Sequence, residues 1–290
     1  MPKTGKKHKI RLGVHTSIAG GVSLSIERAA ALKCTTLQIF SHNPRQWKVS
    51  PVLREEAKRF AALRKEHDIG PIFVHASYLI NLASASKTVL EKSIELLGQE
   101  LENADRLGAE YVVIHTGSAS GVDPDRARTA AARSISKAIG RRKFTTSLIL
   151  ENTAGQRGDI TSSIKSLAEI IDRCGSGKIG GICVDTCHAF ASGYDIASEE
   201  GINNLLSEIK RNIGLSKLKL IHLNDSKKPL GSGVDRHEHI GKGFIGMNGF
   251  RKLLSDKRIS RVPMILETPK KTEEDDKKNL KKVLQILNSK

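Results

Sequence analysis

The runs YVVIH at residues 111–115 and LILE at residues 148–151 are the segments on which the fold prediction rests. Each is a continuous apolar run that ends in a side chain able to bind a metal. Runs without polar alternation are typical of strands buried on both faces, as in a parallel sheet. With six similar runs elsewhere they predict eight strands, at residues 10–15, 35–40, 71–75, 111–115, 148–151, 182–185, 219–222 and 263–267.

Amphipathic or Ala-rich stretches separate the predicted strands. They span residues 23–33, 51–67, 87–107, 124–141, 162–174, 201–212 and 248–256, and a last helix is expected near residues 280–287. Eightfold alternation of strand and helix favours a closed (β/α)8 barrel, or TIM barrel, over an open sheet. We therefore expect one catalytic domain over residues 10–290, after a basic, disordered leader at residues 1–9.

The amino-acid composition limits the partners, metal sites and location to be expected of the chain. Its 290 residues carry a formal net charge of +17, which favours encounter with polyanions such as DNA. Its four cysteines form no CxxC pair, so we expect neither a disulfide framework nor a Cys-rich zinc site. No apolar run approaches the roughly 18 residues of a membrane span, and no apolar signal region follows the basic N-terminus. We expect a cytoplasmic, nucleoid-associated protein.

Side chains able to bind metals end six consecutive predicted strands. They are His75, His115, Glu151, Asp185, His222 and Glu267. In a β/α barrel these strand ends converge on the face that carries active sites. Imidazoles mixed with carboxylates favour zinc or a similar transition ion. Without a cation, carboxylates crowded there would repel one another and raise their pKa values.

Three further candidate ligands lie in loops. His188 follows Asp185 by three residues, which would bring both side chains to one side of the turn after the strand. Asp235 and His237 are two residues apart and share a face if the segment is extended. Since a catalytic zinc takes about three protein ligands, nine candidates indicate about three ions with one carboxylate shared. Clustered ions suit phosphoryl chemistry. Manganese or iron is an alternative to zinc.

Many separated blocks resemble the endonuclease IV family of abasic-site endonucleases. The resemblance runs from Leu12 to about Pro269, and its blocks include NPRQW at 43–47, HASYLINL at 75–82, ENTAG at 151–155, VDTCHAF at 184–190 and HLNDS at 222–226. It implies a trinuclear zinc site. The implied ligand sets are His75, His115 and Glu151 for one ion; Glu151, Asp185, His222 and Glu267 for the second; and His188, Asp235 and His237 for the third.

The resemblance also implies the reaction. The family hydrolyses the phosphodiester bond 5′ to an abasic site in double-stranded DNA, which leaves a 3′-hydroxyl and a 5′-deoxyribose phosphate, and it trims 3′ blocking groups. The implied nucleophile is a metal-bridging hydroxide, and the implied role of Glu151 is to position it or to deprotonate the water from which it forms. Arg45 and Tyr78 match family residues that enter the bent DNA at the lesion. We expect a monomer.

Supporting roles follow for other polar and aromatic residues. His15, Asn81 and Asn152 are expected to orient ligands, because metal-binding imidazoles and carboxylates need fixed partners. Trp47 is expected to pack beneath its loop.

Two other function classes stay open at this point. A metal-dependent sugar or sugar-phosphate isomerase or epimerase on the same barrel would also place Glu, Asp and His at strand ends. Such enzymes usually need one or two metals, so the set of His188, Asp235 and His237 and the +17 charge argue against this interpretation. A non-catalytic DNA-binding protein with structural zinc would be expected to have a closed, Cys-rich site instead.

Overall fold

A barrel of eight parallel strands organises the chain. The computed structural model describes residues 9–119, 121–140, 143–175, 177 and 179–289. Its barrel strands are β1 (Leu12–Val14), β2 (Leu37–Ile39), β3 (Ile72–His75), β4 (Tyr111–Ile114), β5 (Ser147–Glu151), β6 (Ile179–Asp185), β7 (Leu218–His222) and β10 (Met264–Leu266). They are hydrogen-bonded in the order β1-β10-β7-β6-β5-β4-β3-β2. A parallel bridge between His15 and Gln38 joins the two end strands, so the predicted TIM barrel is confirmed.

Helices connect the strands around the outside. They are α1 (Leu24–Ala31), α2 (Arg54–Glu66), α3 (Lys87–Leu107), α4 (Pro124–Ile139), α5 (Ile164–Cys174), α6 (Thr186–Ala191), α7 (Glu199–Asn212), α8 (Gly246–Ser255) and α9 (Glu273–Asn288). Local chemistry sets their ends. Asp123 caps α4 by accepting from the amides of Asp125 and Arg126, and Pro124 occupies the first turn, where a missing N–H costs nothing. Gly108 ends α3 in the left-handed conformation, with φ of 65°.

Three features depart from the sequence prediction. The turn expected after β6 is the short helix α6, and the loop after β7 holds an antiparallel ribbon of β8 (Asp225–Ser226) and β9 (His237–Glu238). The last helix begins at Glu273 rather than near residue 280, because Thr272 and Asp275 form a capping box. The charged residues that precede the predicted helix, from Glu273 onward, are therefore helical too.

The predicted leader falls mainly outside the described part of the chain. Residues 1–8 lie beyond it, so their disorder stays a prediction. Lys9 is described, and its ammonium pairs with the carboxylate of Asp68. No helix in the described ranges is both long and apolar enough to cross a membrane.

The apolar core has two layers. One fills the barrel and consists of Phe73, Val113, Ile149, Cys183, Leu220 and Ile265. The larger layer lies between the strands and the helices. All four cysteines are buried. Because the interior layer lies beneath the strand ends, it supports every side chain that projects from them.

We predict that Phe73→Ala destabilises the protein by about 3–5 kcal/mol, since it removes a fully buried ring from the barrel interior. Urea unfolding would measure the loss. Leu53→Ala is the control, because Leu53 is 75% exposed and its truncation should change stability by no more than about 0.5 kcal/mol. Equal effects of the two substitutions would contradict the interior packing.

Candidate metal centre

All nine predicted ligands lie at the mouth formed by the C-terminal ends of the barrel strands. Four are the last residues of strands: His75, Glu151, Asp185 and His222. His115 and Glu267 directly follow β4 and β10. The remaining three, His188, Asp235 and His237, lie in α6, in the loop after β8 and at the start of β9. The topology therefore gathers side chains that are widely separated in sequence.

The donor atoms form overlapping groups whose members lie within 4.8 Å of one another. The groups are His75, His115 and Glu151; Glu151, Asp185, His222 and Glu267; and Asp185, His188 and His237. Glu151 belongs to the first two, as expected for a shared carboxylate. The third contains Asp185 as well as the two predicted histidines.

Asp235 reaches the same two histidines from the loop. Its Oδ2 lies 3.2 Å from Nε2 of His188, and its Oδ1 lies 3.3 Å from Nε2 of His237. Oδ2 of Asp185 lies 3.6 Å from that Nε2 of His237. The carboxylates of Asp185 and Asp235 thus face the same pair of imidazoles.

Hydrogen bonds fix the ring tautomers of three of these histidines. Nδ1 of His75, His188 and His237 lies 2.7, 3.0 and 2.9 Å from the backbone carbonyls of Ala76, Asn152 and Glu267. A carbonyl only accepts, so Nδ1 carries a proton and, in the neutral ring, Nε2 keeps the free lone pair.

His237 supplies the test of whether a metal fits. Its Nε2 is buried and makes no hydrogen bond within the described part of the chain. A buried nitrogen lone pair that faces two carboxylates without a hydrogen bond is a sound metal donor. The residues present therefore fit a metal ion of the zinc type.

Two asparagines hold Asp185 in place. Asn152 accepts from the Asp185 amide at 2.8 Å, and Asn224 donates to Asp185 Oδ2 at 2.6 Å. Asn224 also accepts from the Glu267 amide at 2.8 Å. The sequence predicts an orienting role for Asn152 but gives no sign of one for Asn224. Asn81 has a different role, because its side chain bonds the backbone of Ala83 and Ser118 and thus shapes two loops.

Carboxylates and imidazoles shift one another's pKa values throughout the cluster. Burial disfavours charge on His188, yet the carboxylates of Asp185 and Asp235 hold its pKa well above 6.5. Burial also opposes protonation of His222, but the carboxylates of Glu151 and Glu267 raise its pKa well above 6.5. Burial likewise opposes ionisation of Glu151, but nearby imidazoles hold its pKa well below 4.5. The cluster thus attracts positive charge.

Two cysteines also lie near the donors. Cys183 groups with Glu151 and His222, and Cys187 groups with Asp235 and His237. Burial raises the pKa of each thiol to about 12, so both stay protonated near neutral pH and are poor ligands. Histidines and carboxylates therefore dominate the donor set.

A groove of about 390 Å³ opens beside the cluster. Tyr78, Gln156, His115, His188 and Asp235 contribute to its lining. Tyr78 is 59% exposed, which is unusual for an aromatic side chain. A substrate in this groove would contact both the open side of the cluster and this ring.

The loops that carry Arg45 and Tyr78 are joined at their bases. Ser77 donates through its hydroxyl to the Pro44 carbonyl at 2.7 Å. The buried carboxylate of Glu100 accepts from the Ser77 amide at 3.0 Å and bonds the His42 ring at 2.6 Å. Arg45 is exposed.

Trp47 packs against the core at the base of its loop, as expected, with the Lys92 ammonium 5.9 Å from its ring centroid.

Comparison with known proteins identifies the family. A family profile described as "Xylose isomerase-like TIM barrel" matches residues 26–290. A protein of Chloroflexus aurantiacus named "Probable endonuclease 4" is 42% identical over 264 residues, which are 90% of this chain and 92% of that protein. A protein of the same name from Aquifex aeolicus is 40% identical over 265 residues, 91% of this chain and 93% of the relative.

This chain belongs to the endonuclease IV family. The crystal structure of endonuclease IV from Thermus thermophilus superposes with a TM-score of 0.84 at 38% identity, and covers 97% of this chain and all of that one. A D-tagatose 3-epimerase-like protein superposes with a TM-score of 0.70 at 23% identity, over 96% of this chain and 98% of its own. The epimerase likeness shows the shared barrel alone.

We predict a specific pH dependence for the metal-free protein. Because the pKa values of His188 and His222 are raised on folding, their contribution to stability is complete below about pH 6.5 and is lost as the pH rises through the raised values. The stability advantage of the chelated wild type over a His188→Gln, His222→Gln double variant should therefore shrink as the pH rises above about 6.5. Urea unfolding across that range measures it. A constant difference would contradict the pKa directions.

Proposed function

We propose that this protein is a metal-dependent endonuclease that hydrolyses the phosphodiester bond 5′ to abasic sites in double-stranded DNA. The observation that carries the proposal is the set of overlapping donor groups at one open barrel mouth. Membership of the endonuclease IV family supports it, since the relatives and the superposed Thermus protein bear that name. The expected products are a 3′-hydroxyl and a 5′-deoxyribose phosphate, and removal of 3′ blocking groups would use the same centre.

We further propose about three zinc ions, with manganese or iron as substitutes. The ligand sets are His75, His115 and Glu151; Glu151, Asp185, His222 and Glu267; and His188, Asp235 and His237, with Asp185 facing the third set as well. When bound, such ions supply Lewis acidity that generates a hydrolytic nucleophile near neutral pH and offsets charge on the phosphate.

Glu151 is the proposed catalytic residue. Its side chain is fully buried between imidazoles, with Oε2 at 3.3 Å from Nε2 of His75 and Oε1 at 2.9 Å from Nδ1 of His222. The neighbouring imidazoles keep its pKa well below 4.5, so it is a carboxylate at neutral pH. An anionic oxygen at the centre of the cluster is suited to share two ions and to accept a proton from attacking water.

Arg45 and Tyr78 are the proposed DNA contacts. Both are exposed on loops around the mouth. A planar guanidinium pairs with phosphate or stacks on a base, and an exposed ring fills a gap between unstacked bases. The net charge of +17 favours the encounter with DNA. We propose a monomer that acts at the nucleoid in the cytoplasm.

The alternative of a sugar isomerase or epimerase is weaker. The likeness to epimerases is confined to the barrel at 23% identity or less. Carbonyl chemistry usually needs one or two metals. The additional donors His188, Asp235 and His237, which lie close together, would hold a further ion.

The central prediction concerns a duplex with one tetrahydrofuran abasic analogue, which resists β-elimination. Zinc-loaded protein should cleave 5′ to the analogue and leave a 3′-end that a polymerase extends. Prolonged chelation should abolish cleavage. His115→Ala should reduce it by more than the roughly 10- to 100-fold that follows loss of an orienting partner, because a ligand itself is removed. Gel analysis of the end-labelled strand measures the rate.

His67→Ala is the matched control for that experiment. His67 is exposed at the end of α2 and belongs to none of the donor groups, so its removal should leave cleavage unchanged. Absence of cleavage by fully metallated wild type would refute the endonuclease assignment and direct the work to sugar-phosphate isomerisation.

A second prediction separates DNA binding from chemistry. Tyr78→Ala should weaken binding to the abasic duplex by roughly 10-fold, since aromatic stacking on one base contributes about 1–3 kcal/mol. Its metal content should match that of wild type, because the ring lies outside the donor groups. Leu284→Ala on α9, beside Lys33 at the far end of the barrel, is the control. Unchanged affinity of the Tyr78 variant in a fluorescence titration would exclude this residue from recognition.

A further inference from the structure

Two barrel strands contribute no candidate ligand to the metal centre. These are β1 and β2, which are joined by the bridge between His15 and Gln38. Gln38 is the middle residue of β2, and it is fully buried. A buried amide must satisfy its donors and its acceptor inside the protein, because leaving one unpaired costs about 1–3 kcal/mol. The partners of this amide therefore show what it does.

All of these partners belong to the metal centre or border it. Nε2 of Gln38 lies 2.6 Å from Oε1 of Glu267 and 3.1 Å from Nδ1 of His15. Oε1 of Gln38 lies 2.8 Å from Nε2 of His222. One neutral side chain thus contacts two candidate ligands of the same donor group.

The chemistry of these contacts fixes the orientation of the amide. A carboxylate oxygen only accepts, so the group that faces Glu267 at 2.6 Å must be the NH2 of Gln38. The amide oxygen must then face His222, and an oxygen only accepts. Nε2 of His222 therefore carries a proton, and in the neutral ring Nδ1 keeps the free lone pair.

His222 is held in the opposite way to its neighbours. His75, His188 and His237 present Nε2 to the cluster, because their Nδ1 atoms donate to backbone carbonyls. Nδ1 of His222 faces the cluster instead, at 2.9 Å from Glu151 and 3.3 Å from Glu267. Because Nδ1 faces the cluster, Nε2 of His222 points away from it and donates to Oε1 of Gln38.

We propose that Gln38 is a positioning residue that keeps the proton of His222 on Nε2 and orients the Glu267 carboxylate, so that both present lone pairs to one metal ion. This proposal rests on the proposed function. An amide suits the task because it offers an acceptor and two donors without adding charge. His15 supports it by accepting the second N–H of the amide at 3.1 Å.

The test compares Gln38→Met with wild type. Methionine keeps the length of the side chain and removes both the donors and the acceptor. We expect the affinity for zinc at one site to fall by about 10- to 100-fold, with the other sites retained, as is typical when an orienting partner is lost. Metal content after equilibration with graded zinc buffers, measured by mass spectrometry, gives this result without an activity assay.

Asn103→Leu is the matched control, because Asn103 is a buried amide that bonds the Val52 amide and the Ser50 carbonyl away from the metal centre. It should bind the full complement of zinc with wild-type affinity. Equal loss of zinc by the two variants would mean a general effect of destabilisation and would overturn the proposal.

Nitrogen-15 NMR of the histidine rings separates positioning from a purely structural role, because loss of packing alone would not change the protonation of His222. Zinc-loaded wild type should show His222 with metal on Nδ1 and a hydrogen-bonded proton on Nε2, and Gln38→Met should lose that hydrogen-bonded signal. Full zinc affinity in the variant would reject the role of Gln38 and leave the endonuclease assignment intact. Failure of wild type to bind any divalent metal would reject the proposed function itself.

Discussion

The mutual compensation of carboxylates and imidazoles around Glu151 is the interaction on which the mouth of the barrel depends. Glu151 has no exposed surface, and an isolated carboxylate in such a place would be neutralised by a proton. It stays ionised because His75, His115 and His222 surround it. Burial opposes charge on all three rings, yet the carboxylates raise the pKa values of His75 and His222 above 6.5, whereas burial lowers the pKa of His115 to about 4.

This compensation relates the fold to the chemistry. The C-terminal ends of the parallel strands converge on one face, and a candidate donor lies at or directly after the end of six of them. The apolar layer below, which includes Phe73 and Ile149, closes the base of the cluster with buried side chains. Protonated His75, His188 and His222 offset part of the carboxylate charge. The candidate ligands are therefore held by contacts with one another as well as by the strands that carry them.

The sequence predicts the barrel, which the structure confirms, and nine candidate donors, which the structure gathers at one mouth, because both signals are local. An apolar run that ends in His, Asp or Glu is visible at residues 111–115 without any knowledge of the rest. The role of Gln38 could not be predicted from the sequence, because its partners His222 and Glu267 lie 184 and 229 positions away. In the run LQIF it was a single polar interruption of a strand. Helix α6 was not predicted, because Asp185 was considered only as a metal ligand. Its side chain is also the N-cap of α6, since Oδ1 accepts from the His188 amide at 2.8 Å.

The anchor formed by Glu100, Ser77 and Pro44 has a thermodynamic consequence for the loops around the mouth. Their backbones are tied to α3 and to each other. Much of the conformational entropy of these segments is therefore lost on folding, and little remains to be lost when a ligand arrives. A ligand can then bind without rearrangement of the loop backbones, and mainly the exposed side chains change conformation. For the proposed DNA partner, selectivity would then depend on how readily the duplex deforms to match this surface.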